Sequence, residues 1–132
     1  MQKPGARVAI VDDDASVRKA IARLLSACLF DIETYGSARE FMARSNDLPA
    51  CLVLDLHMPE MTGLDLQHHL RSAGIKIPTV IITGHNEPGL RERCQSAGAS
   101  AFLLKPLSQE SLVGAINMAI AQQDAATKLP MK

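Results

Sequence analysis

Asp12 and Asp13 end the apolar run Val8-Ala9-Ile10-Val11; Asp55, Thr83 and Lys105 end the runs Cys51–Leu54, Val80–Ile82 and Phe102–Leu104. Short apolar runs of this kind fit strands buried on both faces. In an open parallel sheet, ligands collect beyond the carboxyl ends of the strands. If these runs are neighbours, three carboxylates, a hydroxyl and an ammonium converge on one spot. Crowded carboxylates oppose one another's ionisation unless a cation joins them. The set therefore calls for a divalent metal and an anionic ligand. Hard oxygen ligands suit Mg²⁺, with Asp12, Asp13 and Asp55 as the candidate carboxylates. Asp55 is the candidate nucleophile, since a carboxylate can accept a phosphoryl group as an aspartyl phosphate. Such transfer needs mainly positioning and charge neutralisation, which Mg²⁺ and Lys105 could supply, while Thr83 could donate its hydroxyl to a phosphoryl oxygen.

The elements that must hold these residues alternate. Arg7–Val11 reads as the first strand. Val17, Ala20, Ile21, Leu24, Leu25 and Cys28 then form one helical stripe, with Asp14 as N-cap. Asp31–Tyr35 reads as a more polar edge strand, and Ser37 with Glu40 has capping-box spacing before a helix burying Phe41 and Met42. Cys51–Asp55 is the third strand, followed by breaks at Pro59 and Gly63 and a helix turning Leu66, Leu70 and Ala73 inward before Gly74. Thr79–Thr83 is the fourth strand. The next helix, about Glu87 to Ala97, has a thin stripe of Leu90, Cys94 and Ala97, with Arg91 and Arg93 exposed. Ala101–Leu104 is the fifth strand, and Ser108 caps a last helix with Leu112, Ala115, Ile116, Ala119 and Ile120 inward. From about Gln123 the pattern fades. The alternation predicts an α/β fold: a parallel sheet with right-handed crossovers and helices on both faces. Residues 1–6 read as a leader, 7–122 as one domain, and 123–132 as a tail or the start of a linker.

A length of 132 residues suits one core, and with aromatics at 3% that core must be aliphatic. Zero formal net charge gives no reason to expect nucleic-acid binding by this chain. No run of about 18 apolar residues suggests a membrane span, and the polar start is no signal peptide. Cys28, Cys51 and Cys94 are odd in number and in no CxxC spacing, so they are expected as buried reduced thiols of a cytoplasmic protein. The Lys105–Pro106 bond is a candidate cis peptide. His68 and His69 share a helix with no third ligand nearby and are expected at the surface.

These residues also carry a resemblance. Val11-Asp12-Asp13-Asp14, the segment from Asp55 through Met58 and Pro59 to Gly63, Thr83-Gly84-His85, and Gly98 through Phe102 and Lys105 to Pro106 together resemble the receiver domain of two-component response regulators, most like the FixJ-type branch. The likeness covers about residues 7–122. It implies a five-stranded parallel sheet of order 2-1-3-4-5, the flavodoxin-like receiver fold. It implies Mg²⁺ bound by Asp12, Asp13 and the backbone carbonyl of His57 beside Asp55. It implies that Asp55 takes phosphate from a sensor histidine kinase in a phosphorelay. Thr83 and Phe102 are the implied switch, with Thr83 drawn toward the phosphoryl group and the aromatic turning inward. His57 and His85 flank the path of the attacking water and are implied to tune the phosphate's lifetime. The helix after Thr83, with its weak stripe, is the element expected to shift. A partner protein, a DNA-binding output domain outside this chain, or a second copy forming a homodimer on phosphorylation would read the altered face. Such a chain is a phosphoacceptor assisting its own modification, not an enzyme with turnover.

Three rivals stand beside this reading. A haloacid-dehalogenase-type aspartyl-phosphate phosphatase needs D-x-D on the first strand, which Asp12 and Asp14 supply, but this chain offers no cap domain. A flavodoxin-type flavin module needs a hydroxyl-rich phosphate loop where this chain has three acids. A phosphorylation-independent, receiver-like interaction module would use the same fold without the chemistry.

Overall fold

A computed structural model describes residues 5–44 and 47–128. Ten elements alternate: β1 Arg7–Val11, α1 Ala15–Ser26, β2 Asp31–Tyr35, α2 Ala38–Ala43, β3 Cys51–Asp55, α3 Gly63–Ser72, β4 Thr79–Thr83, α4 Leu90–Ser96, β5 Ala101–Leu104 and α5 Gln109–Lys128. The strands form one sheet of order β2-β1-β3-β4-β5, with every pair parallel. This is the predicted fold, with the polar strand β2 at an edge.

The apolar runs do what a doubly covered sheet requires. Successive residues of β1 alternate between two cores: Val8 and Ile10 pack with Ile21 and Leu25 of α1 and Leu112 and Ile116 of α5. Ala9 and Val11 pack with Phe41 of α2 and Leu66 and Leu70 of α3. Ile81 of β4 meets Leu90 and Cys94 of α4 in a smaller cluster. Thus α1 and α5 cover one face and α2, α3 and α4 the other. Each fully buried Val, Ile or Leu contributes roughly 1.5–3 kcal/mol relative to exposure.

Helix starts follow local capping. Asp14 accepts from the backbone N–H of Ser16 and Val17, and Ser37 from that of Glu40. Glu40 returns its carboxylate to the N–H of Gly36 rather than to Ser37, so the box is offset by one residue. Ser108 accepts from the N–H of Ser111 to open α5. Thr62 and Asp65 form a full capping box at α3 that the sequence reading passed over. Gly74 (φ +74°) ends α3 as expected, donating to Arg71 while Ile75 donates to Leu70.

Four details differ from the sequence reading. Ala20 and Ala73 are exposed; an alanine at the margin of a stripe carries too little apolar surface to set the helix's rotation. The α4 helix begins at Leu90, not near Glu87, because Gly89 (φ +79°) holds a left-handed turn in front of it. The α5 helix runs on to Lys128 although its apolar stripe ends near Ile120. Cys51 and Cys94 are buried free thiols, but Cys28 is only half-buried. Much of the leader and the last residues of the tail lie outside the described residues.

Candidate functional site

The carboxyl ends of β1, β3, β4 and β5 meet at one edge of the sheet. Register sets Asp55 beside Ile82 and Thr83 beside Leu104, so Asp55, Thr83 and Lys105 lie within a residue of the same level on three strands. The chain after β1 brings Asp12 and Asp13 to that level. Carboxylate oxygens of Asp12, Asp13 and Asp55 all lie within 4.8 Å of one another. Asp12 and Asp55 are buried and Asp13 is exposed.

Asp12 is fixed by every polar atom it has. Its N–H donates to Tyr35 of β2 (3.1 Å). Its carbonyl accepts from Arg18 Nη1 (2.7 Å). Its Oδ1 accepts from the N–H of Asp14 (2.9 Å), and its Oδ2 faces Lys105 Nζ at 3.4 Å. The same ammonium stands 3.3 Å from Asp55 Oδ1. Both distances exceed those of tight charge-assisted hydrogen bonds. Lys105 is therefore shared between the two acids rather than committed to either. Its backbone N–H donates to the carbonyl of Thr83 (2.8 Å), tying β5 to β4 at the site, and the Lys105–Pro106 bond is cis.

The electrostatics follow from this crowding. Burial, then the charge of Asp12, push the Asp55 carboxyl above its usual range, and Lys105 pulls only part of the way back. Burial alone would lower the Lys105 ammonium, but Asp55 and Asp12 outweigh it and the net shift is upward. Three carboxylates against one ammonium leave −3 + 1 = −2 on the cluster if all are ionised. The donor set is all hard oxygen, so the site fits a divalent ion of the Mg²⁺ type.

Thr83 is fully buried. Its hydroxyl is held within its own loop, accepting from the N–H of His85 (3.1 Å) and facing that residue's carbonyl at 3.4 Å. Phe102 already lies inside, packed with Leu56, Ile81, Leu90 and Cys94, and the Arg91 guanidinium lies 4.9 Å over its ring. The inward position expected to follow activation is thus the one the ring occupies here. Without a hydroxyl, nothing draws that ring to water. His57 and His85 are exposed, and their rings stack at 4.9 Å and 26°. The resemblance placed both beside the water path, but their direct stacking was not readable, because the rings belong to loops after different strands. His68 and His69 are exposed, as expected.

The structural roles of two residues escaped the sequence reading. Arg18 looked like one more charge on the solvent side of α1, yet it clamps the Asp12 backbone. Gly63 reads as a chain break after the third strand and as part of the segment that carries the resemblance, but its packing is not readable there: an added Cβ would stand 2.4 Å from the Asp55 carbonyl oxygen. Only the absence of a side chain lets α3 start against the end of β3.

Comparison with known proteins agrees with this geometry. Residues 8–117 match the family model described as the response regulator receiver domain. The chain is 38% identical over 112 residues to the response regulator protein TodT of Pseudomonas putida, covering 84% of this chain and 49% of that protein. It is 37% identical over 113 residues to the transcriptional regulatory protein FixJ of Rhizobium meliloti, covering 85% and 55%. The chain thus spans about half the length of the curated relatives it matches. Among solved structures, that of FixJ-N superposes with a TM-score of 0.82 at 33% identity, covering all of both chains. That of StyR superposes at 0.82 with 37% identity, over 96% of this chain and 65% of the other. Fold, strand order, acidic cluster and matched length lead to one assignment: the chain belongs to the receiver domain family of two-component response regulators, on its FixJ-like side.

Proposed function

We propose that residues 7–122 work as a phosphorylation-activated switch with Asp55 as phosphoacceptor. The observation that carries this reading is the convergence of three carboxylates within 4.8 Å under the ammonium of Lys105. In the reaction, an Asp55 carboxylate oxygen attacks the phosphorus of a phosphohistidine on a sensor kinase. The O–P bond forms, the N–P bond breaks, and the imidazole leaves with the electron pair. Mg²⁺, held by Asp12, Asp13, Asp55 and the backbone carbonyl of His57, would neutralise phosphoryl charge when bound. Lys105 would leave its shared position to pair with a phosphoryl oxygen, and Thr83 would exchange its bond to His85 for one to the phosphoryl group. The His57–His85 pair would govern water's access and so the lifetime of the acyl phosphate.

The product carries added negative charge and acceptor oxygens beside the loop that opens α4. That helix lacks a side-chain cap and buries only Leu90 and Cys94, so it would be cheap to move. A partner protein, a DNA-binding output domain outside this chain or a second copy would read the change by population shift. The chain itself would neither contact nucleic acid nor turn over a substrate. Among the described residues no helix is long and apolar enough to cross a membrane, which suits a cytoplasmic regulator.

Intact mass after incubation with acetyl phosphate and Mg²⁺ tests the reading. The expected result is a gain of one phosphoryl group in the parent and none in Asp55→Asn. No gain in the parent, or an equal gain in the variant, overturns it.

A further inference from the structure

The pairing of β1 with β2 ends at Asp12, whose N–H still donates to Tyr35 (3.1 Å). In the parallel register that sets Val11 beside Tyr35, the next donor would be the N–H of Ser37, onto the Asp12 carbonyl. Ser37 turns away instead and becomes the N-cap of α2. The Asp12 carbonyl is left as the last acceptor of the ladder in a residue that is almost fully buried. A buried carbonyl without a donor is costly. Arg18 of α1 supplies the missing donor, with its Nη1 2.7 Å from the oxygen.

The contact is unlike that of an ordinary surface arginine. Arg18 is half-buried, and among the described residues its guanidinium joins no ion pair. Glu40 is close, but its Oε1 accepts from the N–H of Gly36 (2.9 Å). The guanidinium is seated against that glycine, where an added Cβ would approach Nη1 to 3.3 Å. The oxygen that Arg18 holds belongs to the peptide plane joining Asp12 to Asp13. Asp13 is exposed, and among the described residues its carboxylate accepts no hydrogen bond, so that plane decides where it points.

We propose that Arg18 is a positioning residue for the cation site: it replaces the last donor of the β1–β2 ladder and so holds Asp12 and Asp13 in the geometry that binds Mg²⁺. The inference rests on the reading of these two residues as metal ligands. Charge alone predicts the opposite sign. A guanidinium near a net negative cluster repels a cation, so its removal would tighten Mg²⁺ binding. If Arg18 acts by holding the 12–13 peptide, its removal loosens that binding. Outer partners that orient metal ligands typically change affinity 10–100-fold when lost.

The test is calorimetric titration of the full chain with Mg²⁺ at about pH 8, in the parent, Arg18→Met, Arg18→Gln, Arg18→Lys and Lys19→Ala, beside thermal melts without metal. Arg18→Met, which keeps the apolar stem and loses the donor, should raise the Kd about tenfold. Arg18→Gln, too short to reach the carbonyl, should raise it as well, and covers the case in which Arg18→Met fails to fold. Arg18→Lys, which can still donate, should fall between these and the parent. Lys19→Ala removes a neighbouring exposed charge that touches neither acid, and its Kd should stay at or below the parent's. In labelling with acetyl phosphate, followed by intact mass, Arg18→Met should need about tenfold more Mg²⁺ for half-maximal rate and approach the parent's rate at saturation. A lower Tm with an unchanged Kd would make Arg18 a merely structural residue and overturn the proposal, as would tighter binding in Arg18→Met or Arg18→Gln. A parent that binds no Mg²⁺ defeats the reading of the site and this inference with it. A parent that binds Mg²⁺ no better than the folded Arg18 variants defeats this inference alone.

Discussion

Lys105 reaches across β4 to place its ammonium 3.3 Å from the Asp55 carboxylate, so the end of β5 is tied to the end of β3 over the strand between them. The same ammonium serves Asp12 at 3.4 Å. It therefore stands where a divalent ion would draw its ligands. Lys105→Met removes that competing charge. With the lysine partly exposed, the gain is at the lower end of the Coulomb range, about 1 kcal/mol, or roughly fivefold tighter Mg²⁺ binding. Calorimetric titration at pH 8 measures it. An unchanged or weaker Kd would show that Lys105 and the metal do not compete.

Asp55→Asn separates the carboxylate's charge from its shape. The folded-state pKa of Asp55 lies above the usual 3.8. Below that value both folded and unfolded chains carry the proton, and the substitution should be near neutral. As pH rises through the folded pKa, the parent must ionise a buried group beside Asp12 and loses stability that the Asn variant keeps. The variant's Tm should exceed the parent's at about pH 7, and the gap should close toward acid. Saturating Mg²⁺ should narrow it by stabilising the parent more. A gap that grows as pH falls would mean that Asp55 is stabilised as the anion.

Gly63→Ala tests the contact that lets α3 begin against β3. The new methyl would lie 2.4 Å from the Asp55 carbonyl oxygen and 3.0 Å from Leu56 Cα. Both neighbours are backbone, so the strand end itself must move. Overpacking of this kind costs about 2–3 kcal/mol, a fall in Tm of roughly 10 °C. Because the displaced residue is Asp55, the Mg²⁺ affinity of the folded fraction should fall as well. A Tm within a degree or two of the parent would show that the loop relaxes freely.

Much of this was legible because each buried strand is a short apolar run closed by a polar residue. Four strands, β1, β3, β4 and β5, fall where those runs lie, β2 falls at the polar segment read as an edge strand, and Asp12, Asp55 and Lys105 meet because strand ends of a parallel sheet share an edge. The misses have physical causes. Beyond Ile120, α5 continues through Ala, Gln and Lys, good helix formers that extend no apolar stripe in the sequence, so a search for such a stripe stops too early. Arg18 reaches back six residues to the chain just before its own helix, and Gln67 is buried beside Gly98, which is distant in sequence. Neither residue type nor spacing marks an arginine that will meet a backbone carbonyl, or a glutamine that will be buried without a donor. The burial of Phe102 depends on how α4 packs, which its thin stripe left open.

The thiols offer a check on the core. Burial pushes Cys51 up to about 12 and raises Cys94 as well. Both are fully buried, whereas Cys28 is half-buried beside Gln109. Native alkylation at about pH 8 should therefore label Cys28 and spare the other two until unfolding. Raised folded pKa values also mean that the fold loses stability as pH climbs from the unfolded thiol value of 9.0 toward 12. Peptide mapping after iodoacetamide decides the first point. Rapid native labelling of Cys51 or Cys94 would contradict the packing described for β3 or α4.

The stacked rings of His57 and His85 join two loops that otherwise belong to separate strands. Each histidine follows a proposed site residue, Asp55 or Thr83, by two positions, so the pair sits at the mouth of the pocket. If water reaches the acyl phosphate past these rings, removing either should change the decay rate of phosphorylated protein. Because the rings touch, their effects should not be independent. His57→Ala already frees His85, so His85→Ala should add less in that background than in the parent. A coupling of about 0.5 kcal/mol, roughly twofold in rate, is the threshold for residues in contact. Decay of the phosphorylated species, followed by intact mass in the parent, both single variants and the double, completes the cycle. Unchanged decay in both single variants would leave the pair no part in the lifetime of the phosphate. Strictly additive changes would mean that each ring acts alone and the stack is incidental.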